Sequence, residues 1–130
     1  MELQQKIIDY IETQLDLYAP VSAVPMAEGK EGISLTLAPS RYETEFMDGK
    51  VNDVMLLQIS AKHKESIKAL KAVTDIAYTM EKAPGNAITS DEGAFCIRRI
   101  KIYTNPNLAY MDTNQTYVYV AMIQVFYLRG

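Results

Sequence analysis

Apolar residues recur along this chain in two rhythms, one near 3.6 and one of 2, and the switches between them mark its elements. In residues 2–18, ELQQKIIDYIETQLDLY, the side chains of Leu3, Ile7, Ile8, Ile11, Leu15 and Tyr18 fall on one helical stripe. Glu2, Asp9, Glu12 and Asp16 lie mostly on the other face. Pro20 and Pro25 bar continuation, so the helix is expected to end near Leu17 or Tyr18. The stretch ISLTLAPS alternates Ile33, Leu35 and Leu37 with Ser34 and Thr36, a half-buried strand that Pro39 stops.

Asp48-Gly49 predicts a tight hairpin turn, because such turns need positive φ and glycine supplies it at little cost. Its arms are expected near 41–47 and 51–60. In the first, Tyr42, Thr44 and Phe46 alternate with Arg41, Glu43 and Glu45. In the second, Val54, Met55, Leu56, Leu57 and Ile59 are apolar on both faces, which predicts a central strand. Helical spacing returns over 63–82, with Ile67, Leu70, Val73, Ile76, Ala77 and Met80 on one side and Lys64, Lys68, Lys71 and Asp75 opposite. Pro84-Gly85 ends it, and GNAITSDEG reads as a loop.

Two further strands follow, AFCIRRIKIYTN and QTYVYVAMIQVFYL, joined by a turn-rich loop from Thr104 to Asn114 that makes them a second hairpin. The expectation is a single α+β domain over 1–130. Its mainly antiparallel sheet of about five strands is flanked by two helices, in the order α-β-β-β-α-β-β. YVYVAMIQVFYL, at 117–128, is too short for a membrane helix, which needs about 20 apolar residues. Its aromatic and β-branched content predicts a strand. The face with Val118, Val120, Met122, Gln124, Phe126 and Leu128 is the more apolar and is expected against the helices. Tyr117, Tyr119 and Tyr127 on the other keep polar tips that suit an interface or a partly wet surface.

Composition narrows the chemistry. Hydrophobic residues make up 48% and charged residues 22% of the 130, values ordinary for a soluble domain. Met1-Glu2-Leu3-Gln4-Gln5 opens directly into the amphipathic pattern, so no signal peptide is expected. One cysteine, Cys96, and one histidine, His63, exclude an intrachain disulfide and a Cys/His zinc site. A Cys96–His63 nucleophile–base pair competes with a plainer reading, a small strand hydrophobe and a surface histidine at the start of a lysine-flanked helix. Glu43 with Glu45, and Asp91-Glu92, read as solvated carboxylates rather than acid–base or metal groups. EGKEG at 28–32 lacks phosphate-loop spacing. The expectation is no catalysis, no cofactor and no metal.

Charge is divided. Residues 1–60 hold ten acidic and four basic side chains, a balance of −6; residues 61–130 hold six and nine, a balance of +3. Head-to-tail copies would meet through complementary surfaces. Arg98, Arg99 and Lys101 form the densest basic cluster, but an acidic chain of pI near 5.1 is a poor nucleic-acid binder.

The layout resembles a family. The amphipathic first helix, the strand ending LAPS, the charged hairpin, the LLQISAKHKESIKAL strand-to-helix passage, the DIAYTM helix and the final RRIKIYTNPNLAYMDTNQTYVYVAMIQVFYL hairpin are similar to tail terminator and minor capsid proteins of long-tailed bacteriophages. The resemblance spans nearly the whole chain and rests on element order and size. It implies a virion structural protein of the tail and neck, made in the host bacterial cytoplasm. Such a protein forms a homo-oligomeric ring, typically a hexamer, that caps the tail tube and docks it to the head. The implied partners are the major tail tube protein and a head-completion or connector protein, with DNA passing through the ring but not read by sequence. Membranes are not implied. Expected contact residues are Arg41, Glu43, Glu45 and Lys50 of the first hairpin, complemented by Arg98, Arg99 and Lys101. The alternative is a small α+β module that binds a ligand or partner on its open sheet face and does not self-assemble.

Overall fold

The computed structural model describes residues 2–24, 31–38, 44–47, 50–84, 88, 95–112 and 115–129. Their order is α1 (Glu2–Gln14), β1 (Val21–Ser22), β2 (Gly32–Leu37), β3 (Thr44–Met47), β4 (Lys50–His63), α2 (Ser66–Glu81), β5 (Phe95–Met111) and β6 (Tyr117–Arg129). This is the expected α+β fold with the expected element order. The one addition is the two-residue β1, which pairs parallel to β2 through Val21 opposite Ile33.

The main path across the sheet runs β1-β2-β4-β6-β5, with β3 pairing β4 beside it. The doubly apolar β4 is central, as its sequence predicts. It pairs antiparallel with β6 along its full length, and its other side takes β3 and then β2 in succession. Asp48-Gly49 lies outside the described residues, although Met47 opposite Lys50 closes the hairpin around it.

Both helices cover one face. α1 lies over β1 and β2, and α2 lies over β4, β6 and β5. Leu3, Ile7, Ile8 and Ile11 of α1 are buried there, and the amide of the buried Gln4 donates to Leu35 O and to Ala23 O, fastening the helix to β2 and the end of β1. The helix ends at Gln14, earlier than expected, and the chain then turns so that Tyr18 reaches the β2–β4 pair.

On α2 the buried side is Ala69, Ala72, Val73, Ile76, Ala77 and Met80. The expected stripe is therefore wrong at its first two positions: Ile67 is 77% exposed and Leu70 is exposed as well. Ala69 and Ala72 take the buried positions beside Val73, Ile76 and Met80, so the first turns of the helix face the sheet with small side chains.

β5 corrects a second expectation. The segment from Thr104 to Met111 is strand, not loop. β6 is buried in the sheet over its whole length, and its outer backbone groups need partners that only β5 supplies. Four register shifts each place one extra residue on β5, between Ile97 and Arg99, Ile102 and Thr104, Thr104 and Asn107, and Leu108 and Tyr110. Pro106 falls within the third, on an edge strand, where a missing N–H is tolerated.

The faces of β6 are the reverse of those expected. Directly opposed residues share a face, and Met55, Leu57 and Ile59 stand opposite Val125, Ile123 and Ala121. Those residues make the core beneath the helices, together with the buried Tyr127. The face with Val118, Val120, Met122, Gln124, Phe126 and Leu128 turns away from them. Gln58 and Lys62 of the central strand share that outer face and keep it there, since a helix laid over them would strand their polar groups.

Candidate functional site

The outer face of the sheet is where this fold leaves chemistry accessible. Along β4 and β6 it is apolar in the middle, with Val54, Leu56, Val120, Met122, Phe126 and Leu128 all half-buried. At the end near the β5–β6 turn it becomes polar. There Ser34, Thr36, Gln58, Ser60 and Lys62 join Tyr110 around a cleft of about 380 Å³. Lys62 Nζ donates to Asp112 Oδ2 at 3.3 Å, an ion pair buried on both sides, and Gln58 Nε2 donates to Ser60 Oγ at 3.2 Å. Asp112 is itself fixed, because its N–H donates to Thr116 O at 2.9 Å across the hairpin turn.

On the helix side of the same sheet end, Tyr18 Oη lies 2.6 Å from Lys62 O and 2.9 Å from Gly32 O, spanning two opposed residues of β2 and β4. Burial pushes the Tyr18 phenol well above its ordinary value, Glu31 adds to the shift, and the hydrogen bond to Lys62 O partly offsets it. The Tyr18 ring meets His63 edge-on at 4.8 Å. His63 Nδ1 accepts Glu65 N–H at 3.0 Å and stands 3.2 Å from Glu31 Oε2, which also accepts Lys64 N–H at 3.1 Å. A single ring nitrogen cannot accept from Glu65 N–H and donate to Glu31 at once, so the two contacts are alternatives.

His63 is thus the last residue of β4 and half-buried, not a surface residue of the helix. It is far from Cys96. His63 pairs with Tyr117 and Cys96 with Leu128, eleven positions apart on β6. At ~3.3 Å per residue that is roughly 36 Å along the strand, so the two cannot act as a dyad.

The expected contact residues separate into two groups. Arg41 and Glu43 lie outside the described residues. Glu45 sits on β3 opposite Asn52, and Lys50 begins β4 opposite Met47. Arg98, Arg99 and Lys101 come together at one end of the β5 edge, all exposed. Arg98 is the extra residue of the first register shift, and Arg99 places its guanidinium carbon 4.7 Å from the centre of the Phe126 ring. Sequence reasoning missed Lys62, Asp112 and Tyr18. A lysine near the end of the predicted central strand, in LLQISAKH, was the available signal for the first, since a buried ammonium needs a partner.

Among the described residues, no group of three metal-ligating side chains comes together, and no helix is long and apolar enough to cross a membrane. No family model matches the chain, and no curated protein matches it.

Proposed function

We propose that this chain is a structural protein of the bacteriophage head–tail junction, a tail terminator whose copies close into a ring on the tail tube and dock it to the head. The observation that carries the reading is the outer face of the sheet, where Val54, Leu56, Val120, Met122, Phe126 and Leu128 form a half-buried apolar band that neither helix covers. Apolar patches of this kind on small domains mark surfaces that a partner covers. The element order is also that of the family the sequence resembles. Under this reading the ring is homo-oligomeric, typically hexameric. Its neighbours are the major tail tube protein and a head-completion or connector protein, and its place is the neck of the virion. No catalytic step is assigned.

Size-exclusion chromatography with light scattering tests the reading. The expected result is a closed ring at high concentration or on addition of tail tube protein. A strict monomer under both conditions sinks it.

The cleft around Ser34, Thr36, Gln58, Ser60 and Lys62 favours a second reading, a binding module that takes a small polar ligand on its open sheet face. That reading requires a ligand-dependent rise in melting temperature without self-assembly.

A further inference from the structure

The two ends of the strand order carry opposite charge. α1 lies over the β1–β2 side, and Asp9, Glu12 and, just beyond the helix, Asp16 are exposed there. No basic residue occupies the last turn of α1. The carbonyl end of a helix is the negative end of its dipole and favours a cation. Glu12, Leu15, Asp16, Leu17, Tyr18 and Pro20 line a pocket of about 310 Å³ at that end. The Glu12 carboxylate is held in place, since Oε2 accepts Val21 N–H at 3.2 Å.

The opposite edge is β5. Its seventeen residues include Arg98, Arg99 and Lys101 and no acidic residue. Four strand spacings separate β5 from β1, roughly 19 Å, so the two charged regions of one copy are held apart by the sheet between them. Strand addition to β5 is blocked at one point by the chain itself, because Glu81 Oε2 accepts Ile102 N–H at 3.1 Å. Contact through side chains is left.

We infer that the β5 edge of one copy docks on the carbonyl end of α1 of a second copy, with Lys101 meeting Asp16 beside Glu12. The inference rests on the self-assembly reading above and not on the phage assignment. Arg99 has a different role, since its guanidinium lies over Phe126 of its own chain. The apolar walls from Leu15, Leu17 and Tyr18 suit the methylene stem of a lysine, and the carboxylates suit its ammonium. The contact joins two different patches, so each copy keeps one acidic and one basic surface until the chain of copies closes on itself.

Charge reversal at two exposed positions tests it, by sedimentation velocity over a concentration series. Asp16→Lys and Lys101→Glu each alone should weaken association at least about tenfold, because like charges then face each other. Mixing the two variants should restore it, since each then finds an opposite charge on both neighbours. Circular dichroism melting that matches the unaltered chain shows that folding is not the cause. If the unaltered chain assembles and both variants assemble equally well, this contact is wrong while self-assembly stands. An unaltered chain that never assembles overturns both.

Discussion

Lys62 and Asp112, fifty residues apart in sequence, form a salt bridge at 3.3 Å with side chains only 5% and 2% exposed. The pair joins the end of the central strand to the β5–β6 turn. Removing one partner leaves the other charge buried, a loss worth about 3–5 kcal/mol. Asp112→Ala and Lys62→Ala should each show that order of loss in urea denaturation. Lys62→Met combined with Asp112→Leu should recover most of it, because no buried charge is then left alone.

Tyr18 should make the fold less stable at alkaline pH. Its phenol is held protonated in the native state by burial and by the nearby Glu31, above the ordinary value of 10.0 that it recovers on unfolding. The unfolded chain therefore loses this proton first as pH rises. The stability that Tyr18 contributes is present below about pH 10 and is lost as pH climbs toward its native value. Tyr18→Phe removes the titration. Urea midpoints at about pH 9 and about pH 11 should differ less in Tyr18→Phe than in the unaltered chain, and an equal difference contradicts the assignment.

The face of α2 is testable with two isoleucines. Ile76 is fully buried beneath the helix and Ile67 is 77% exposed. Ile76→Ala should cost about 2–5 kcal/mol, by the transfer of the lost methyl groups and the cavity left behind. Ile67→Ala should change stability by less than about 0.5 kcal/mol, as exposed substitutions do. Comparable losses at both positions would place the helix in the rotation that its sequence alone suggested.

That rotation shows where pattern reading stops. Periodicity correctly located α2 and β4, because a helix over a sheet and a strand buried on both faces each leave a strong local signal. Among candidate helix faces it favoured the stripe with the largest residues, yet the buried side carries Ala69 and Ala72 where Ile67 and Leu70 were expected. β1 is two residues long and carries no period at all. Asn105-Pro106-Asn107 reads as a turn until β6 is seen to require a partner along its whole length. The basic cluster of Arg98, Arg99 and Lys101 was legible as a run of charge. The Lys62–Asp112 bridge was not, since no local pattern connects residues that only the sheet register brings together.

Register likewise decides which half of β6 faces out, and adjacent residues separate the alternatives. Ile123 is fully buried opposite Leu57, whereas Met122 is half-buried opposite Gln58 on the uncovered face. Ile123→Glu puts an unpaired carboxylate into the core and should abolish cooperative folding. Met122→Glu puts the same group beside Gln58 and Gln124, within reach of water. Its thermal melt should remain cooperative, with a loss of about 1 kcal/mol or less. If the outer face is a contact surface, Met122→Glu should also suppress assembly, because a carboxylate would then lie in an apolar interface without a partner. A folded Met122→Glu variant that assembles like the unaltered chain removes this face from the contact and leaves the charged edges to carry it alone.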